Sequence, residues 1–100
     1  MTDDARTLLV FFSSARSGPS RRMESLLAHI ARKERSRLRV AQIDVDSRPE
    51  VAERFRVSHA PTLVLVHDRR AVARLEGRTS APQIEAMLAA HLPEPEPAAA

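Results

Sequence analysis

The sequence predicts a single α/β domain in which about four strands and three helices follow the order βαβαββα. Three observations lead to this prediction. A nearly continuous apolar run near the start is typical of a strand buried on both faces. Two later stretches carry apolar residues at the spacing of a helix with one buried face, and two short apolar strands flank a polar loop. With 100 residues, 43% of them apolar, the chain is long enough to bury a core.

The first strand is predicted over Thr7–Ser13, where almost every residue is apolar. A helix follows over about Pro19–Arg35. Ser17 precedes it at a position where a serine oxygen can cap the helix by accepting the Ser20 N–H, and Gly18 and Pro19 suit the turn and the first helical residues. The buried stripe of this helix consists of Met23, Leu26, Leu27 and Ile30.

The middle of the chain is predicted to contain a second strand, Leu38–Val45, followed by a short helix. Ser47-Arg48-Pro49-Glu50 matches the capping-box pattern, so we expect Ser47 to cap this helix. The helix would bury three apolar side chains, those of Val51, Ala52 and Phe55.

A hairpin and a last helix complete the predicted domain. The hairpin strands are Thr62–Val66 and Ala71–Glu76, joined by the polar loop His67–Arg70. Gly77 ends the strand pattern, and a second capping box, Ser80-Ala81-Pro82-Gln83, starts the helix. The residues that share the buried face of this helix are Ile84, Met87, Leu88 and Leu92.

These elements divide the chain into three parts. Residues 1–6 form an N-terminal arm, residues 7–92 the folded domain, and residues 93–100 an extended, disordered tail of Pro, Glu and Ala. The apolar run Leu8–Phe12 is too short for a signal-peptide core or a membrane span, so we expect a cytoplasmic protein with no membrane partner. No pattern in the sequence indicates the oligomeric state.

The chain contains no cysteine. This excludes disulfides, thiolate catalysis, zinc–thiolate sites and iron–sulfur clusters. His29, His67 and His91 lie on separate predicted elements without the spacing of metal ligands, so no metal site and no cofactor are expected.

Basic side chains dominate the predicted domain. Residues 7–92 contain 15 basic and 9 acidic side chains, although the whole chain carries a formal charge of only +3. This surplus suits an anionic partner or an arginine-rich solvated surface, and the latter is the simpler interpretation. The basic residues cluster at Arg16, Arg21 and Arg22 and again at Arg32, Lys33, Arg35, Arg37 and Arg39.

Four segments resemble a known family in their order and spacing. Ser17-Gly18-Pro19-Ser20 opens a helix, and Ile43-Asp44-Val45-Asp46 ends a strand. Ala60-Pro61-Thr62 opens a later strand, and Gly77 precedes Ile84 by seven residues. Together they make nearly the whole domain similar to the thioredoxin-like superfamily. The resemblance implies a thioredoxin-like fold, with a central mixed sheet flanked by helices and a cis peptide bond before Pro61.

The resemblance also implies that redox chemistry is lost. Ser17 and Ser20 occupy the positions of the family's two active-site cysteines, Arg16 that of the common tryptophan, and Phe11 that of a buried acid. A hydroxyl stays protonated near neutral pH and forms no analogue of a disulfide, so thiol–disulfide oxidoreductase activity is not expected. Four departures favour a natural loss. An engineered Cys→Ser form of an active oxidoreductase is the alternative, but it would normally keep the tryptophan and the acid.

Family members hold an extended peptide between the active-site turn and the cis-proline loop, with backbone hydrogen bonds to the residue before the proline. The resemblance therefore implies a protein- or peptide-binding adaptor or chaperone-like module, not an enzyme. Its partner is not identified by the sequence. The groove would comprise Arg16, Ser17, Gly18, Pro19, His59, Ala60, Pro61, Gly77 and Arg78.

Two other function classes stay open. Free N–H groups at the start of the first helix, beside Arg16, Arg21 and Arg22, would suit an anion or nucleic acid. Nucleic acid is the less favoured partner because three phenylalanines are the chain's whole aromatic content. The weakest hypothesis is a Ser17–His59 hydrolase, for which the sequence offers no orienting acid and no glycine-rich oxyanion loop.

Overall fold

Seven elements make up the part of the chain that the computed structural model describes, residues 7–92. They occur in the predicted order as β1 (Thr7–Ser13), α1 (Gly18–Lys33), β2 (Arg39–Asp44), α2 (Pro49–Arg54), β3 (Thr62–His67), β4 (Arg70–Glu76) and α3 (Ala81–His91). The strands form one mixed sheet in the order β2-β1-β3-β4, in which β1 is parallel to β2 and the other two pairs are antiparallel. The predicted α/β class with a central four-stranded sheet is confirmed.

β1 lies inside the sheet and is buried on both faces, as its apolar run predicts. Successive side chains of a strand point to opposite faces. Leu9 and Phe11 accordingly pack with α1 and α3, whereas Val10 and Phe12 pack on the side of α2. The sheet therefore separates two apolar clusters, and β1 contributes to both.

α1 begins at the capping residue Ser17 and buries Met23, Leu27 and Ile30, while Leu26 is half-buried. It ends at Lys33, two residues before the predicted end. The chain turns after Glu34, whose carbonyl accepts the Arg37 N–H at 3.0 Å. This turn brings Leu38, which is fully buried, into the core.

The expectation that Ser47 caps α2 is wrong. The helix begins at Pro49, so its N-cap residue is Arg48, which makes no side-chain capping bond. β2 ends at Asp44, and the Asp44 carboxylate accepts hydrogen bonds from the Asp46 N–H at 2.9 Å and from Ser47 Oγ at 3.3 Å. Ser47 thus belongs to the turn after β2. Of the apolar residues predicted to be buried here, Ala52 is buried, and Val51 and Phe55 are half-buried.

The hairpin is tighter than predicted, because its strands extend until His67 pairs with Arg70. Only Asp68 and Arg69 remain in the turn, with φ angles of 52° and 69°. Positive φ at both central residues is the conformation that two-residue hairpins favour. A hydrogen bond of 2.8 Å between Thr7 Oγ1 and His67 Nδ1 ties this end of β3 to β1.

α3 begins with the predicted capping box, in which Ser80 Oγ accepts the Gln83 N–H and the Gln83 side chain accepts the Ser80 N–H. Its predicted face is also confirmed, because Ile84, Met87 and Leu88 are buried and Leu92 follows them into the core. The predicted arm, residues 1–6, and the predicted tail, residues 93–100, lie outside the described residues. No helix within residues 7–92 is long and apolar enough to cross a membrane.

Candidate functional site

The sheet topology brings three loops to one end of the sheet. β1 and β3 are antiparallel with Phe12 opposite Thr62, so the turn after β1 emerges beside the residues that precede β3. Thr62 is also opposite Glu76, so the residues after β4 emerge at the same end. All nine residues of the predicted groove lie on these three loops or on the first turn of α1.

The start of α1 is held by serine hydrogen bonds. The Ser17 N–H donates to the Ser14 carbonyl at 3.0 Å, and Ser17 Oγ accepts the Ser20 N–H at 3.1 Å. The predicted N-cap is therefore confirmed. Because the Ser20 N–H is capped and Pro19 has no N–H, the Gly18 N–H is the one among the first three helical residues that has no partner within residues 7–92. The expectation that this helix end presents several free N–H groups to an anion is wrong.

Ser20 differs sharply from Ser17. Its side chain is fully buried, and its Oγ has no hydrogen-bond partner among the described residues. A buried hydroxyl without a partner is unfavourable, whereas a cysteine thiol is well tolerated in such a place. The environment at Ser20 therefore suits the resolving cysteine of a thioredoxin better than it suits a serine.

The loop before β3 exposes one residue's backbone polar groups. The Ala60–Pro61 peptide bond is cis, and Pro61 is buried. The His59 carbonyl accepts Thr62 Oγ1 at 2.8 Å, and the Pro61 carbonyl accepts the Gly77 N–H at 2.8 Å. Ala60 lies between His59 and Pro61, and neither its N–H nor its C=O has a hydrogen-bond partner within residues 7–92.

The nine residues of the predicted groove differ in exposure. Pro61 is buried, and Arg16, His59 and Arg78 are exposed. The residues between these extremes are half-buried: Ser17, Gly18, Pro19, Ala60 and Gly77. Gly77 has a φ of 82°, a left-handed conformation that glycine adopts without strain, so the turn after β4 favours a glycine.

The structure brings no catalytic pair together at Ser17 and His59. Ser17 Oγ is engaged by the helix, and the exposed His59 ring has no hydrogen bond to any of residues 7–92. A nucleophile needs hydrogen-bond contact with its base, so the arrangement does not support a hydrolase. Within the same residues, no three His, Asp or Glu side chains are grouped closely enough to hold a metal ion.

A hydrogen bond that sequence reasoning missed anchors the turn after β1. Ser14 Oγ donates to Asp46 Oδ2 at 2.6 Å and accepts the Arg16 N–H at 3.1 Å. The sequence shows Asp44 and Asp46 at the end of β2. That Ser14 is the partner of Asp46 follows only from the parallel pairing of β1 with β2, which places Ser13 opposite Asp44.

An open depression of about 460 Å³ was also missed. It lies between α1 and the loop before α3, and Arg22 and Arg78 both line it. Arg78 belongs to the predicted groove. Arg22, in contrast, belongs to the predicted basic cluster with Arg16 and Arg21.

The resemblance matches Phe11 to a position where many thioredoxins carry a buried acid. It is 1% exposed and packs in the apolar cluster beneath α1 and α3. The site therefore has no cysteine thiol and no acid at the corresponding core position.

These features define the class of protein, a cysteine-free domain of thioredoxin fold. The sequence pattern of the Thioredoxin family matches residues 1–90, and the chain belongs to this family. Thioredoxin of Alicyclobacillus acidocaldarius subsp. acidocaldarius is 36% identical over 84 residues, which are 84% of this chain and 80% of that protein. The bifunctional thioredoxin reductase/thioredoxin of Mycobacterium leprae is 36% identical over 72 residues, 72% of this chain but 16% of that longer protein.

Solved structures agree with the sequence comparison. The germline-specific thioredoxin Deadhead of Drosophila melanogaster superposes with a TM-score of 0.81 and 32% identity, covering 90% of this chain and 84% of that one. A mutant thioredoxin from Halobacterium salinarum NRC-1 also gives a TM-score of 0.81, with 25% identity over 91% of this chain and 79% of that one. The chain thus has a thioredoxin fold and lacks the sulfur atoms needed for disulfide exchange.

Proposed function

We propose that this protein is a redox-inactive adaptor or chaperone-like module that binds an extended protein segment beside Ala60. The observation that carries the proposal is the unpartnered backbone of Ala60, whose neighbours on both sides use their carbonyl groups within the protein. Half-buried backbone N–H and C=O groups normally have partners, and an added strand supplies both. We therefore assign to Ala60 the two backbone hydrogen bonds that hold the segment.

The shape around Ala60 supports the same proposal. Gly18 and Gly77 present no side chain, so a segment can approach their backbones closely. Pro61 gives the floor an apolar surface, and the exposed side chains of Arg16 and His59 stand at the edge. Because Ser17 and Ser20 cannot form a mixed disulfide, non-covalent binding is the part of thioredoxin function open to this site.

Anion or nucleic-acid binding is the second candidate, and the surplus of arginines favours it. Two features weigh against it. The start of α1 keeps only one free N–H among its first three residues. At the other end of α1, Lys33 and Arg37 form ion pairs with Glu85 and Glu34. The charge available to a polyanion is therefore smaller than the composition suggests.

The groove can be tested by selecting peptides from a displayed library of random dodecapeptides against the purified protein. We expect the selected peptides to protect the Ala60 amide from hydrogen exchange, because it gains a hydrogen bond. Gly18→Trp should weaken their binding by about tenfold or more. The variant should fold normally, because the atoms nearest to a Cβ at Gly18 belong to the flexible end of Arg22, at 3.6 Å.

Two matched controls accompany this variant. Ala28→Trp adds the same bulk at an exposed position on the same helix, and Arg35→Glu with Arg39→Glu reverses charge far from the groove. Both should leave peptide binding unchanged. Binding that survives Gly18→Trp but is lost with the reversed charges would reject the adaptor proposal in favour of an electrostatic surface.

The last alternative, an inactivated oxidoreductase, is addressed by restoring both cysteines. Ser17→Cys with Ser20→Cys should form a disulfide, yet insulin reduction should remain poor because Phe11 supplies no proton acceptor. Adding Phe11→Asp to the double variant tests that reason directly. Full thioredoxin-like turnover with Phe11 in place would indicate a recently inactivated enzyme.

A further inference from the structure

The depression beside the groove has an apolar floor and two arginines at its rim. Met23 and Leu26 of α1 form the floor. Arg22, from the same helix, and Arg78, from the loop after β4, both line the opening. A surface of this kind combines apolar contact with a pair of strong hydrogen-bond donors.

Neither arginine is neutralised by a residue in the range 7–92. Arg22 and Arg78 have no ion pair and no hydrogen bond to another residue in the range 7–92. No acidic residue lies in the first turn of α1, so Arg22 stands near the positive end of the helix dipole without a compensating charge. An anionic group bound here would therefore relieve a repulsion as well as form new hydrogen bonds.

The other polar groups that line the depression are already engaged. Thr79 Oγ1 donates to the Gly77 carbonyl at 3.0 Å. Ser80 Oγ and Gln83 Oε1 serve the capping box at the start of α3. The guanidinium groups of Arg22 and Arg78 are consequently the charged groups that remain for a ligand.

The depression is continuous with the surface around Ala60. The Gly77 N–H is bonded to the carbonyl of Pro61, and Arg78 is the next residue. On the opposite side, the Arg22 guanidinium reaches Gly18, where an added Cβ would lie 3.6 Å from it. An extended segment that pairs with Ala60 can therefore place a nearby side chain between the two arginines.

We propose that the bound segment carries an acidic side chain, Asp or Glu, which Arg22 and Arg78 hold in the depression between α1 and the loop after β4. This inference rests on the proposed peptide-binding function and names the class of peptide. Charge complementarity selects the segment, because a carboxylate accepts hydrogen bonds from both guanidinium groups. A neutral segment gains only the backbone bonds at Ala60.

The experiment repeats the dodecapeptide selection on three proteins: the unaltered chain, Arg22→Gln with Arg78→Gln, and Arg35→Gln with Arg39→Gln. The last variant removes the same charge beside a different depression, at the far end of α1. We expect Asp or Glu to be enriched several-fold at one peptide position for the unaltered chain and for the control, but not for the first variant. Changing that Glu to Gln in a synthetic selected peptide should weaken its binding about tenfold.

The outcomes separate this inference from the function on which it rests. Peptides that protect the Ala60 amide without an acidic preference would overturn the inference and leave the proposed function intact. Failure to select any peptide would overturn both. Acidic enrichment that disappears equally in both double variants, together with binding of a heparin oligosaccharide, would show a general electrostatic surface and would also overturn it.

Discussion

Both ends of α1 carry a cluster of positive charge, but two of the five cations at the C-terminal end form ion pairs, whereas none of the three at the N-terminal end does so within residues 7–92. At the C-terminal end, Lys33 Nζ lies 3.0 Å from Glu85 Oε2 and Arg37 Nε lies 2.7 Å from Glu34 Oε1. At the N-terminal end, Arg16, Arg21 and Arg22 have no such partner within residues 7–92. The difference teaches that the number of charges in a segment does not measure the charge available to a partner.

The helix dipole strengthens this contrast. Cations near the end of a helix are stabilised by the dipole, and cations near its start are not. The side-chain hydrogen bond with Glu85 also raises the pKa of Lys33 above its ordinary value of 10.5. Because the pKa is raised, the stabilisation that the Lys33–Glu85 ion pair provides is fully present below pH 10.5. It is lost only as the pH rises above that value.

The largest effect on stability is expected at the C-terminal end. Arg37→Met removes the nearby cation from Glu34, which is 9% exposed and lies where the dipole disfavours a negative charge. We expect a loss of about 2 kcal/mol in the free energy of unfolding, measured by urea denaturation. Adding Glu34→Gln should recover most of the loss, because it removes the unpaired carboxylate.

Lys33→Met is the matched control for this prediction. Its ion pair with Glu85 is about half exposed on both sides, and such pairs contribute little. The midpoint of unfolding should stay unchanged within error. Equal effects of the two variants would remove the distinction between a buried and an exposed pair at this end of α1.

A smaller loss is expected at the N-terminal end from Ser17→Ala. The substitution removes the oxygen that accepts the Ser20 N–H, and loss of such a cap costs about 1 kcal/mol. Ser17→Asp restores an acceptor and adds a negative charge at the positive end of the dipole, so it should be at least as stable as serine. Thermal unfolding of both variants tests this, and an alanine variant as stable as serine would contradict the capping role.

An effect smaller than that of Ser17→Ala is expected three residues further on, and it has the opposite sign. Ser20→Ala removes a buried hydroxyl that has no partner within the described structure, and the protein should gain several tenths of a kcal/mol in stability. Ser20→Cys should be tolerated equally well. A clear loss of stability with alanine would mean that the Ser20 hydroxyl has a partner, and the contrast between the two serines would then fail.

The parts of the fold that depend on nearby residues could be predicted from the sequence. The apolar run of β1, the apolar spacing of α1 and α3 and the Ser80 cap were all correct, because each is a pattern within a few neighbouring residues. The errors lie where tertiary pairing overrides such a pattern. Ser47 has the sequence of a cap, but the Asp44 carboxylate at the end of β2 engages it, and the extended pairing of β3 with β4 shortens the loop to two residues.

By itself, the sequence determined the order of the elements, the absence of any thiol and the identity of the four segments that resemble thioredoxins. Only the tertiary structure decided that Ser17 is a satisfied cap while Ser20 is buried without a partner among the described residues. It also decided that the backbone of Ala60 is left unpaired within residues 7–92 and that Arg22 and Arg78 line the same depression. The physical reason is that these properties depend on strand pairing and helix packing between residues distant in the chain, which local patterns do not record.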